Sequence, residues 1–372
     1  MDNVAGLAGR LMTAARVAED SQADDDGHAY WAVLSQAVTA GESGESALRC
    51  AQGLLGSADV LERGVGCDLA GYAAAEHAPL RREVATALIA LAEVETESRV
   101  LHSLVCALHR AQDPRAVPVL VRLSAHEDVE LRRVVASQIV FSGLPDGPDI
   151  RALIRLTRDQ DPEVRNWAAF ALGTLLEQDT TAIRDALWEC TTDEDGEVRE
   201  EGARGLARRH DPRAVPLIAQ LLGTDDWSRH LILDAAAILG VPELLPALAA
   251  CEPGSAETDE AIAACDPERR ARIEDDAWRV VLELERLRPD LGAALSSPRY
   301  ESVHRMEVTH RETLDAGYDV AALLARAGGD PVRAAELVVS DLTGPAGNAP
   351  RTDGPSQPES RPASTELPDA PV

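Results

Sequence analysis

The chain contains no lysine; every one of its 36 basic residues is arginine. Chemistry that needs a Schiff-base amine, a phosphate-loop lysine or a kinase-type lysine is therefore excluded, and no glycine-rich phosphate loop is present. Aromatic residues make up only 3% and β-branched alternating runs are almost absent, which argues against sandwiches and barrels and for an all-α chain. None of the six cysteines, at 50, 67, 106, 190, 251 and 265, forms a C-x-x-C pair. A buried thiol behaves as a small hydrophobe, so a reduced, cytoplasmic chain is the expectation. No apolar run reaches the length of a membrane-spanning helix. The opening Met1-Asp2-Asn3 lacks a basic n-region, so no signal peptide is expected. Basic charge is also scarce: 64 acidic residues leave a net charge of −28. Such a protein repels nucleic acid and anionic membranes, whose binding rests on neutralising phosphates. A protein partner with a basic patch is the expected kind, steered by charge.

What the chain has in abundance is self-similarity. Asp113-Pro114-Arg115-Ala116-Val117-Pro118 returns letter for letter as Asp211-Pro212-Arg213-Ala214-Val215-Pro216, 98 residues later (113 to 211). Between them lie helix starts of one pattern: Asp128-Val129-Glu130-Leu131-Arg132, Asp161-Pro162-Glu163-Val164-Arg165 and Asp195-Gly196-Glu197-Val198-Arg199. The Asp positions are 33 and 34 apart (128, 161, 195). Asp is a good N-cap because its carboxylate accepts the unpaired N–H groups of the first turn. Pro162 falls where a missing N–H costs nothing. The Arg one turn on can reach that Asp or the Asp of the next unit, so a structural ladder of Asp128, Arg132, Asp161, Arg165, Asp195 and Arg199 is expected. Upstream, Asp59/Arg63 and Glu95/Arg99 keep the spacing, as does Asp225/Arg229 downstream.

Behind each Arg runs an apolar pattern of helical period built from small residues, for example Val164, Ala168, Ala169, Ala171 and Leu172. The preceding helix of each unit is amphipathic too, as in Ile150, Leu153, Ile154 and Leu156. One such pair cannot bury its apolar face alone; stacking buries it, and the result is an α-solenoid.

The patterns D-P-x-A-V-P-x-L and D-x-x-V-R-x-x-A-A-x-A-L-G, best displayed from Asp161 to Gly173, resemble the HEAT repeat. They look most like the subclass named after the phycobilisome lyases, an armadillo-like helical fold. The resemblance covers 46–251. It implies an α-solenoid of helical hairpins and a protein-protein interaction role, since this fold hosts scaffolds, inhibitors and a few enzymes. The organisation read from the chain is a helical N-terminal cap at 1–45, the solenoid at 46–251, a capping helix and hinge at 252–300, a small helical module at 301–342 and a disordered proline-rich tail at 343–372. In the module, Gly317-Tyr318 and Gly329-Asp330-Pro331 with flanking Ala and Leu are similar to the ubiquitin-associated domain and to the N-terminal module of elongation factor Ts, which implies three helices. A helical hairpin is the alternative.

Candidate sites are few. His102, Cys106 and His109 share one helix face and offer a metal stripe; the same spacing suits a helix with solvated His and a packed Cys. One His-Glu dipeptide, His126-Glu127, falls short of the paired dipeptides of the related di-iron hydroxylases. For the chromophore (bilin) lyases of the same subclass, Arg133, Arg204 and Arg208 would be the propionate partners. No catalytic set and no cofactor is indicated. Trp167 and Phe170, with Asn166, lie on a stripe beside the core pattern, flanked by Arg133, Glu201 and Arg204 from neighbouring units. Second helices of this fold line the concave face, and an aromatic pair among Arg and Glu is the composition of a binding hot spot. The reading is thus a non-enzymatic scaffold or adaptor, with a lyase-like or metal-dependent enzyme as the alternative.

Overall fold

A computed structural model describes residues 2–20, 24–39, 44–224, 229–251, 255–295, 305–310 and 313–343. The proline-rich tail beyond Thr343 and the expected Asp225 cap lie outside the described residues. The chain forms two compact units, 1–232 and 233–372.

In the first unit, α1 (Asp2–Asp20) and α2 (Asp24–Thr39) precede a run of helical hairpins. The first helices of the pairs are α3 (Gly44–Leu55), α5 (Arg81–Ala92), α7 (Val117–Leu123), α9 (Pro148–Leu156), α11 (Thr181–Cys190) and α13 (Ala214–Leu222). The second helices are α4 (Val60–Glu76), α6 (Ser98–Ala111), α8 (Val129–Ser137), α10 (Pro162–Phe170) and α12 (Gly196–Arg208). Second helices touch in succession from α4 to α12, and first helices do so from α7 to α11. This is the contact pattern of a stack. Its seam is Leu-rich, with Leu104, Leu108, Leu120, Leu131, Leu153 and Leu172 fully buried.

The N-caps are where the sequence places them. Asp59 accepts from Leu61 and Glu62 N–H, Asp128 from Glu130, Asp161 from Val164, and Asp195 from Glu197 and Val198. The ladder differs from expectation. Arg132 and Arg165 do not meet the capping Asp residues; they pair with Asp159 and Asp193, each at 2.8 Å and each two residues before the next cap. Arg63 likewise pairs with Glu95 at 2.6 Å, two residues before the cap Glu97. The cause is direction. Helical side chains lean toward the N-terminus, and each Arg Nη1 donates to two carbonyls of the loop leading into its own helix: Ser57 and Ala58 for Arg63, His126 and Glu127 for Arg132, Asp159 and Gln160 for Arg165, Asp193 and Glu194 for Arg199. The capping carboxylates accept their own first-turn N–H groups, and Asp161 takes Arg133 of the preceding unit besides. The ladder acids also accept the N–H of the cap that follows, Asp159 from Asp161 at 3.0 Å and Asp193 from Asp195 at 2.9 Å.

The two identical hexapeptides make matching arginine contacts, although the first enters its helix at Val117 through a 3-10 turn and the second begins its helix one residue earlier in register, at Ala214. Arg115 and Arg213 each grip the Asp two residues earlier with two nitrogens, and each reaches back to a first-helix carbonyl of the preceding unit, that of Arg82 or Arg184. Close approach peaks where α12 meets a π-helical turn, Ala171–Leu175: a Cβ on Gly205 would lie 2.8 Å from Gly173 Cα, so only glycine fits.

The second unit takes in α14 (Arg229–Leu239) from Leu233 onward, then α15 (Leu245–Leu248), α16 (Ala256–Cys265) and α17 (Pro267–Leu287). Beyond α17 the sequence reading needs correction. The expected hinge holds β1 (Leu291–Leu295), and the expected three-helix module holds β2 (Arg305–His310) and β3 (Thr313–Asp319) before α18 (Val320–Arg326) and α19 (Pro331–Thr343). The strands form an antiparallel sheet in the order β1-β2-β3. Met306, Val308, Ala316 and Tyr318 point inward from it, onto Ala277, Val280, Val281 and Leu284 of α17 and Ala334, Ala335 and Val338 of α19. The alternation of Met306 and Val308 is a two-residue period that no helix uses. Trp278 and Leu282 of α17 stand 57% and 61% exposed.

Candidate functional site

The six residues read as a concave-face patch are brought together on α8, α10 and α12, but mostly as structure. Phe170 is 2% exposed, and Asn166 and Glu201 are buried. Trp167, half-buried, meets the Phe170 ring edge-on at 5.9 Å. Asn166 donates to Glu197 at 3.1 Å. Arg133 forms a two-pronged pair with Asp161, at 2.9 and 2.7 Å, and reaches Glu130 and Glu163 as well. This pairing raises the Arg133 pKa and lowers that of Asp161. Arg204 donates to the Thr174 hydroxyl at 2.6 Å, and Arg208 to the Thr174 carbonyl. Hence Phe170, Asn166 and Glu201 are not contact residues. Alanine and glycine bring the second helices so close that the stripe beside the seam is covered too. Trp167, Arg133 and Arg204 remain partly open.

The metal stripe is not assembled. His109 Nδ1 lies 3.2 Å from the Gln138 carbonyl of the next unit. Burial lowers the pKa of both His102 and His109 and raises that of the Cys106 thiol. Among the described residues no three His, Cys, Asp or Glu side chains converge on a point where a metal could sit.

The sequence reading missed the N-terminal end of the same stripe. Counted from each N-cap, one position is held by Asp68 on α4, Cys106 on α6, Ser137 on α8, Phe170 on α10 and Arg204 on α12. Asp68 is 8% exposed, and the Tyr30 hydroxyl of α2 donates to its Oδ2 at 2.8 Å. Burial raises the Asp68 carboxyl pKa, opposed by hydrogen bonds from Tyr30 and Ser103 and by the charges of Arg110 and Arg99. A cavity of about 160 Å³ opens beside this group, lined among others by Tyr30, Gly64, Asp68, Arg99 and Ser103. Along the stripe, Trp31 stacks on Tyr72 at 5.8 Å, and the Arg110 guanidinium sits 4.8 Å above the same Tyr72 ring. Trp31 is 40% exposed. The signal available in the sequence was Asp68 itself, a lone carboxylate inside Val65-Gly66-Cys67-Asp68-Leu69-Ala70.

Comparison with known proteins agrees with this architecture. HEAT repeats match at residues 85–173, 150–239 and 183–264. Protein YibA of Escherichia coli K12 is 33% identical over 143 residues, which is 38% of this chain and 50% of YibA; the chain thus spans half the length of the curated relatives it matches. The X-ray structure of E. coli YibA superposes with a TM-score of 0.52 at 23% identity, covering 70% of this chain and 95% of that one. The complex of CpcE and CpcF of phycocyanin lyase from Nostoc is a more distant structural neighbour, with a TM-score of 0.36 at 19% identity, covering 58% of this chain and 85% of that one. No helix among the described residues is long and apolar enough to cross a membrane. Residues 85–264 of this chain match HEAT repeats, and the helical hairpins of its first unit stack as an α-solenoid.

Proposed function

We propose that the solenoid is a non-enzymatic scaffold or adaptor that holds a protein partner along the stripe of its second helices. The observation that supports this most directly is the exposed Trp31 stacked on the half-buried Tyr72, with the Arg110 guanidinium over the same ring. Trp, Tyr and Arg carry most of the binding energy at protein interfaces. The net charge of −28 favours a partner with a basic patch, recruited by long-range attraction. The test is affinity capture with the wild-type chain and with Trp31→Ser/Arg110→Ala, at low and high salt. A partner retained by the wild type, weakened by salt and lost on the variant supports the scaffold. A partner equally retained by both chains refutes the stripe. Purified protein carrying a stoichiometric metal or a chromophore would turn the reading toward the lyase-like or metal-dependent alternative.

A further inference from the structure

We propose that the exposed face of α17 docks a basic amphipathic helix of a partner protein, one that carries two apolar side chains a turn apart between two arginines or lysines. This goes beyond the scaffold reading: it concerns the second unit and holds whether or not Trp31, Tyr72 and Arg110 bind a partner.

Two faces of α17 carry apolar side chains. Ala277, Val280, Val281 and Leu284 form the buried one and share a core with the sheet and α19. Asp275, Trp278, Leu282 and Glu285 follow at spacings of 3, 4 and 3, which aligns them along a different face. All four are exposed. A surface helix ordinarily turns polar side chains to water on the side away from its core. Single apolar residues scattered over a surface need no explanation. A Trp and a Leu one turn apart are different: this is the spacing at which helix-recognition surfaces place their anchors, and Trp is the residue that most often dominates such contacts.

Charge says what covers the pair. The neighbouring arginines are matched along the helix itself: Arg279 pairs with Asp276 at 3.6 Å and Arg286 with Glu283 at 2.7 Å. Asp275 and Glu285, at the two ends of the apolar pair, enter no ion pair among the described residues. They lie ten residues apart (275 to 285), about 15 Å along a helix. A second copy of α17 does not suit this face. Laid antiparallel, with Trp278 against Leu282 of the second copy, it sets Glu285 against Asp275 at both ends; laid parallel, it sets each acid against itself. Like charges juxtaposed across an interface reject that partner. The complement is a helix reading basic-x-x-apolar-x-x-x-apolar-x-x-basic, which brings a cation to each carboxylate and covers the Trp278 ring between them.

The experiment selects phage-displayed helical peptides, randomised at their surface positions, on the full wild-type chain, with Trp278→Ser/Leu282→Ser as the counter-target. The enriched sequences are expected to carry apolar residues a turn apart with Arg or Lys on both sides. A synthetic peptide of that consensus should bind the wild-type chain saturably in calorimetry, and Asp275→Asn/Glu285→Gln or the counter-target at least about tenfold more weakly. Asp275→Arg/Glu285→Arg should instead prefer the same peptide with Glu at its basic positions, an exchange that general attraction to a chain of charge −28 does not produce. All four substituted side chains are exposed, so each variant should melt with the wild type by circular dichroism. Absence of any peptide whose capture needs Trp278 and Leu282 overturns the proposal. So does a consensus without basic residues, or a preference that charge reversal leaves unchanged. Self-association of the wild-type chain in sedimentation, abolished by Trp278→Ser/Leu282→Ser, also overturns it, because a second copy is then the occupant.

Discussion

Arg209 lies at the end of α12 with its side chain 3% exposed, and its guanidinium donates to five carbonyls: Leu172, Gly173, Leu176, Gln178 and Gly205. Two of these, Leu172 and Gly173, belong to the π-helical turn, where the regular i→i+4 ladder is interrupted. Five donors in a rigid fork suit such a cluster; three on an ammonium do not. Arg209→Lys should therefore destabilise the chain by about 2–4 kcal/mol in urea denaturation, since hydrogen bonds to a charged group are worth about 1.5–3 kcal/mol each when lost in a buried site. Asp211 gives a residue-scale test with a pH axis. Chiefly through Arg213, its carboxyl is held at about 2, below the ordinary 3.8. A carboxyl with a depressed folded-state pKa contributes stability in full above the unfolded value. That contribution is lost as pH falls through the interval from 3.8 to about 2. Asp211→Asn should cost roughly 2 kcal/mol at pH 7 and much less near pH 2, read from urea midpoints at the two values.

At the scale of elements, the caps were legible because capping is local: an Asp, a first turn and nothing else. The ladder's partners were not, because the acid that meets Arg165 lies 28 residues on, in the next loop, and only the lean of the side chain selects Asp193 over Asp195. A double-mutant cycle on Arg165→Gln and Asp193→Asn should return a coupling of about 1–3 kcal/mol, whereas the same cycle on Arg165 and Asp195 should return about zero. The strands show a different limit. The Met306/Val308 alternation in β2 was present in the sequence, but β1 reads Leu-Gly-Ala-Ala-Leu, without a β-branched residue, and only the packing of α17 and α19 gives it a sheet to join. Asp68 was passed over for a related reason. The hydroxyl that holds this carboxylate belongs to Tyr30, which the fold brings from 38 residues away.

For the whole molecule, stacking makes stability a sum of units and of the contacts between successive neighbours. Removing residues 128–160, one period from cap to cap, joins Glu127 to Asp161. It keeps the rung from Arg165 to Asp193 intact. That deletion should yield a chain with cooperative melting by circular dichroism, whereas removing 128–147, the second helix and its following loop alone, should not. The repeat architecture was fully readable in advance because it is written in every unit; the binding surface was not, because the residues that distinguish one unit from another are also the ones that packing recruits. The rungs add a last consequence. None of the three described, from Arg63, Arg132 and Arg165, closes within the hairpin that supplies the arginine, so these units each hand a fixed fitting to the one after. A gene encoding such a chain can grow or shrink by whole periods and find every joint already cut to size, while any insertion of another length leaves a guanidinium facing the wrong socket.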